Sequence, residues 1–120
     1  MVGRINDLRE RTKQFALRVI RLYRALPRRE ETSVIGRQLL RSGTSVGANY
    51  RAACRARSRA EFMAKLGIVL EEVDETVFRL EILQDSEIVS ASKLGPLVQE
   101  ARELTSIFVT SICTTKGVGS

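Results

Sequence analysis

The chain has 120 residues, a formal net charge of +6, no His or Trp, two Pro and only 5% aromatic residues. That length suits one domain with a single core, and the scarcity of aromatics beside abundant Arg, Leu, Ala and Glu excludes a β-sandwich in favour of helices. Without His the commonest general base and transition-metal ligand are gone, and no apolar run approaches the roughly 20 residues that span a bilayer.

Helix one carries Ile5, Leu8, Thr12, Phe15, Val19, Leu22 and Leu26. Their alternating spacings of 3 and 4 place one residue per turn on a single face. Asn6 or Asp7 is suited to cap its start, and Pro27 cannot continue it.

Helix two is predicted from about Arg29 to Arg55, with one stripe of Ile35, Leu39, Ser42, Val46, Asn49 and Ala53. A second stripe, Gly36, Leu40, Gly43, Gly47, Tyr50 and Cys54, lies about 100° away, so the buried face is broad. Each interior glycine costs roughly 1 kcal/mol relative to Ala, a cost that close approach to another helix offsets. The alternative is that Ser42-Gly43-Thr44-Ser45 forms a loop; the unbroken stripe through Ser42 argues against it.

Ser58-Arg59-Ala60-Glu61 is a capping-box pattern that opens helix three. Its stripe is Phe62, Leu66, Val69, Val73, Thr76, Leu80 and Leu83, with Met63, Leu70 and Val77 alongside, and it dissolves at Gln84-Asp85-Ser86-Glu87. Only the capping box separates helices two and three, so a continuous helix there stays open. Helix four starts near Ser90 or Ser92, turns Leu94, Leu97, Ala101, Leu104, Phe108 and Ile112 inward, and holds Gly95-Pro96 in its first turn. From Thr115 the periodicity is lost. The expected organisation is one all-α domain over 1–116, an up-down-up-down antiparallel four-helix bundle, with 117–120 as a flexible tail. The start, Met1-Val2-Gly3-Arg4, leads into no secretory signal, and the expected location is cytoplasmic.

Charge is distributed unevenly. Residues 1–59 hold 15 Arg/Lys against 4 Asp/Glu, and residues 60–120 hold 5 against 10. Arg37, Arg41, Arg51 and Arg55 share the side of helix two roughly 200° from its core line, and Arg57 and Arg59 extend the cluster. Arg11, Arg18 and Arg21 flank helix one, and Arg24, Arg28 and Arg29 end it. Guanidinium groups suit phosphate, and arrays at turn spacing can follow a nucleic-acid backbone. The competing reading is pairing with acids of helices three and four, Arg37 or Arg41 with Glu71, Asp74 or Glu75. Only Tyr23 and Tyr50 lie near these arginines, so readout by base stacking is not expected.

No catalytic constellation emerges. Glu71, Glu72, Asp74 and Glu75 lack the His that bundle di-metal sites use and read as a solvated or ion-paired face. Cys54 and Cys113 read as free thiols, and Gly43-x-x-x-Gly47 lacks the Lys and preceding strand of a phosphate loop. Neither metal nor cofactor is implied. Apolar flanks (Ala16, Ile20 and Tyr23; Met63, Leu70 and Val77; the glycine stripe) serve either a second seam between subunits or a wide core within one.

Three segments carry a family resemblance: Arg37-Gln38-Leu39-Leu40-Arg41-Ser42-Gly43-Thr44-Ser45-Val46-Gly47-Ala48-Asn49, Ser58-Arg59-Ala60-Glu61-Phe62, and Lys65-Leu66-Gly67-Ile68-Val69-Leu70-Glu71-Glu72. The chain resembles, over nearly its whole length, the bacterial four-helix-bundle proteins first recognised as reading frames in intervening sequences of 23S rRNA genes. The resemblance implies an up-down bundle, a homopentamer, and kinship with retroelement accessory proteins that bind nucleic acid and a reverse transcriptase. It supplies no catalytic residue. Tyr50-Arg51-Ala52-Ala53 stands where the commoner pattern reads Ile-Ala-Glu-Gly, placing an arginine in a longer helix. The expectation is a non-enzymatic, homo-oligomeric, basic bundle that binds RNA or DNA through Arg37, Arg41, Arg51, Arg55, Arg57, Arg59, Arg18 and Arg21. The alternative is an adaptor whose arginines join subunits or a protein partner.

Overall fold

The computed structural model describes the backbone of residues 2–119 and the side chains of residues 7–116. Four helices follow in order: α1 (Val2–Ala25), α2 (Glu30–Cys54), α3 (Arg59–Asp85) and α4 (Ala91–Gly119). They form an up-down-up-down antiparallel bundle measuring 48 × 23 × 20 Å, without strands among the described residues. Sequential neighbours pack closely, whereas α1 and α4 meet only sparsely.

The helical stripes become the core. Phe15, Val19, Leu39, Val46, Leu66, Val69, Val73, Leu80, Leu83, Leu94, Leu104 and Phe108 are fully buried. Each contributes about 1.5–3 kcal/mol by leaving water. Tyr50 closes one end against Phe108, ring centroids 5.5 Å apart and tilted by 52°. Leu70 and Val77 also pack on this core, so the second apolar line of α3 widens the chain's own interior. The Ile5 and Asn6 side chains lie outside the described residues. Because α1 begins at Val2, Asp7 stands exposed inside the helix and does not cap it.

The segment around Ser42–Ser45 is helical throughout, and its glycines face α1. A β-carbon added at Gly43 would sit 2.8 Å from a Val19 methyl, and one at Gly36 would sit 3.1 Å from Tyr23 and Leu26. The glycine stripe therefore serves packing inside the chain and is not a seam between subunits. Across α2 and α3 the fully buried hydroxyls of Ser42 and Thr76 lie 2.9 Å apart. Ser42 donates to the Leu39 carbonyl at 3.3 Å, so the pair stays satisfied in the apolar interior.

Helices α2 and α3 are separate. The Ser58 hydroxyl accepts from the Glu61 N–H at 3.0 Å, while the Glu61 carboxylate accepts from the Arg57 N–H at 3.2 Å, one residue earlier than a standard capping box. At the end of α3, Glu87 takes φ 62°, and the Ile88 N–H reaches back to the Leu83 carbonyl at 3.1 Å. This is a Schellman ending with a non-glycine residue at its left-handed position. Pro96 is the sixth residue of α4, a turn later than the first-turn position expected, and α4 continues as far as Gly119. The side chains of 117–120 lie outside the described residues.

Candidate nucleic-acid interface

Among the described residues, the acidic half engages two of the basic half's arginines. Arg41 pairs with Glu72 at 3.1 Å and also with Glu75. The Glu72 charge, with those hydrogen bonds, holds its guanidinium above the ordinary value despite desolvation. Arg11 grips Glu100 with two hydrogen bonds of 2.8 and 2.7 Å and reaches Glu103 at 3.0 Å, which raises its pKa in the same way. Arg102 pairs with Glu81 at 3.1 Å. The geometry of α2 explains why Arg41 is the one captured. At about 100° per residue, Arg51 stands about 80° around the helix from Arg41, so Arg41 lies on the α3 edge of the basic stripe and Arg51 on the α1 edge.

On that α1 edge the two helices leave a groove of about 550 Å³. Arg9, Thr12, Lys13 and Ala16 line it from α1; Thr44, Gly47, Ala48 and Arg51 line it from α2, with Arg55 just beyond. Four cations converge there with no carboxylate in the lining. The threonine hydroxyls are committed to their own helices, Thr12 to Leu8 and Thr44 to Leu40, both at 2.7 Å. The Arg9 Nε is shielded from solvent and has no hydrogen-bond partner among the described residues.

The remaining nominated arginines do not gather at this groove. Arg37 is exposed on α2 and Arg57 on the α2–α3 connection. Arg59 borders a cavity of about 360 Å³ at the bundle end with Tyr50, Cys54 and Phe62. Arg18 and Arg21 border another, of about 320 Å³, at the loose α1–α4 seam with Lys93, on the side of α1 opposite the groove. None of these five guanidinium groups has a carboxylate partner among the described residues. Sequence reasoning missed Arg9 and Lys13. Their signal was the i, i+4, i+7 run Arg9, Lys13, Ala16, whose small last member faces the small pair Gly47-Ala48 and so opens the groove.

Elsewhere, Gly67 lies mid-helix on α3, and a β-carbon there would meet nothing in the chain. Phe78, about 20° around the helix from it, is 52% exposed, and Ile68 is 40% exposed. Among the described residues no group of three or more His, Cys, Asp or Glu is placed to hold a metal ion. No described helix is long and apolar enough to cross a membrane.

The model of the 23S rRNA-intervening sequence protein family matches residues 5–110. A crystal structure from Bacteroides thetaiotaomicron, of a protein of unknown function from the S23 ribosomal protein family, superposes with a TM-score of 0.83 at 35% identity. That similarity covers 90% of this chain and 96% of the other. No curated protein matches.

Proposed function

The chain belongs to the 23S rRNA-intervening sequence protein family, and from that premise we propose that it is a non-enzymatic, homo-oligomeric bundle that binds RNA or DNA through phosphates. The observation that carries the reading is the α1–α2 groove, where Arg9, Lys13, Arg51 and Arg55 converge with no acid among them. Cations held together without counter-charges repel one another, and an array of phosphates relieves that repulsion. Recognition is led by charge and shape, because no exposed aromatic residue lines the groove.

Gel-shift titration of duplex DNA and structured RNA at rising salt tests the reading. Four engaged cations per protomer give a slope of log affinity against log salt of about −3 to −4 on duplex DNA. Absence of binding at low salt on both nucleic acids rejects the proposal.

Self-association has separate support. An interior glycine costs roughly 1 kcal/mol in a helix, and Gly67 returns no packing within its own chain. With Phe78 beside it, the α3 outer face suits the close approach of a helix from another copy. The adaptor reading, with subunits or a protein partner such as a reverse transcriptase held by arginine, draws on the Arg41 pairs with Glu72 and Glu75. Under it, charge reversal at Arg41 changes the mass in light scattering; under the nucleic-acid reading, reversal at Arg51 removes binding with mass retained.

A further inference from the structure

The groove holds one feature that a uniformly charged face does not need. Surface arginines satisfy their N–H groups with water, but the Arg9 Nε–H is withdrawn from water and meets no acceptor among the described residues. A buried N–H on a permanently charged group is costly to leave unmade, and native proteins keep few such orphans. The neighbouring Thr12 and Thr44 hydroxyls donate to carbonyls of their own helices, and neither oxygen lies within hydrogen-bond reach of this N–H. Lys13, Arg51 and Arg55 add only donors, so every charged group in the groove seeks an acceptor. Gly47 brings the α2 backbone down onto Thr12, where its missing β-carbon would stand 3.3 Å from the Thr12 hydroxyl, and this keeps the floor low.

We infer that the α1–α2 groove is a discrete subsite for one phosphate group, held from within by the Arg9 guanidinium and from the rim by Arg51 and Arg55. The groove volume, about 550 Å³, falls within the range of small-ligand pockets and leaves room for the sugars on either side of that phosphate. Where the phosphate belongs to a nucleic-acid strand, the inference rests on the function proposed above. Binding is then anchored at one phosphate per protomer rather than spread evenly over the basic surface. A free phosphate would satisfy the same donors, and so would carboxylates of a second copy, such as the exposed Glu71 and Asp74.

Nuclear magnetic resonance on the full chain separates these cases, reading the arginine Nε–H signals during titration with inorganic phosphate. The expected result is saturable, one-site movement of the Arg9 Nε–H and of the Thr44 and Gly47 amides at roughly millimolar phosphate. Arg9→Gln abolishes it and Arg9→Lys does not restore it, with helicity by circular dichroism confirming that both variants fold. On duplex DNA, Arg9→Gln weakens binding about tenfold or more, whereas Arg37→Gln has less than about a threefold effect, a gap of at least about 0.7 kcal/mol. Phosphate that moves all arginine signals alike overturns the subsite. So does equal weakening by Arg9→Gln and Arg37→Gln, a result that leaves general phosphate binding intact. Saturable movement of the Arg9 signal without nucleic-acid binding upholds the subsite and removes the function proposed above. Loss of oligomer mass on Arg9→Gln, without any response to phosphate, assigns the groove to a second copy and overturns the inference.

Discussion

The α1–α2 hairpin and the α3–α4 hairpin each bury one main stripe per helix, yet they handle charge and packing in opposite ways. In the second hairpin, Glu72, Glu75, Glu81, Glu100 and Glu103 all have arginine partners. In the first, Arg11 and Arg41 are drawn across to those acids, while the groove cations and Arg18, Arg21 and Arg37 have no carboxylate partner among the described residues. The backbones differ as well. The first hairpin closes over glycines pressed on Val19 and Thr12, whereas Gly67 of the second faces open space. Among the described residues, holding the hairpins together thus uses only two of the first hairpin's arginines. The guanidinium groups of the other described arginines in that hairpin have no carboxylate partner among the described residues, and that surplus is what the proposed phosphate partner would neutralise.

The most forceful way to break this contrast is charge reversal. Arg51→Glu with Arg55→Glu should lower affinity for duplex DNA by about 10²-fold or more, since each charge-assisted contact is worth a tenfold change or better. Helicity should be unchanged and the thermal midpoint should move little, because relief of repulsion with Arg9 and Lys13 offsets the loss of two cations from the C-terminal end of α2. Arg41→Gln should do the reverse, leaving affinity within about threefold and costing at most about 1 kcal/mol of stability for an exposed pair. A fold that collapses on the double reversal, or affinity that tracks Arg41 instead, would erase the distinction between committed and free arginines.

Next in size is the contrast between glycines. Gly43→Ala forces a β-carbon to 2.8 Å from Val19 and should cost about 1–3 kcal/mol in a urea melt. Gly67→Ala meets no atom of the chain and should gain about 1 kcal/mol in a monomer. In a homo-oligomer packed on that face, the same substitution should instead lower the mass in light scattering. A stabilised protein of unchanged mass would take Gly67 out of any subunit contact.

These glycines also mark how far the sequence could be read. Periodicity was enough to find the four helices and nearly every buried residue, because a 3–4 spacing has one physical solution in a bundle. It did not assign Gly43 to α1, since the choice between a neighbour in the chain and a neighbour in another copy depends on how the helices rotate. The same rotation decides that Arg41 is captured by Glu72 and Glu75 while Arg51, in the same basic stripe, overhangs the groove. Arg9 and Lys13 were passed over because a groove is made by what is small opposite them, Ala16, Gly47 and Ala48, and not by the charges themselves.

Where the hairpins meet, Ser42 and Thr76 form a polar contact at the centre of an apolar seam. Ser42→Ala should cost about 1–2 kcal/mol by stripping Thr76 of a buried partner. Thr76 keeps a second acceptor in the Glu72 carbonyl at 2.8 Å, which holds the loss to that range. With Thr76→Val added, the total cost should be less than the sum of the single changes, because the Ser42–Thr76 hydrogen bond that each single change removes can be lost only once. A coupling near zero in that double-mutant cycle would mean that the hydroxyls do not act as a pair across α2 and α3.

The smallest expected effect is a gain, and it lies in the second hairpin's connection. The first hairpin turns through Leu26–Arg29 without any positive φ, but α3 ends with Glu87 at φ 62°, where the β-carbon crowds the backbone. Glycine at position 87 removes that strain while the Ile88 N–H keeps its bond to Leu83 and Ile88 stays against the core. Against this, glycine gains more freedom than glutamate in the unfolded chain, which offsets part of the benefit. Glu87→Gly should therefore stabilise by about 0.5–1 kcal/mol, read as a higher urea midpoint at unchanged slope. Nucleic-acid affinity should not move, since the residue lies on the hairpin without the groove. A lower midpoint would show that the Glu87 side chain itself holds the turn, making the α3–α4 connection as dependent on charge as the helices it joins.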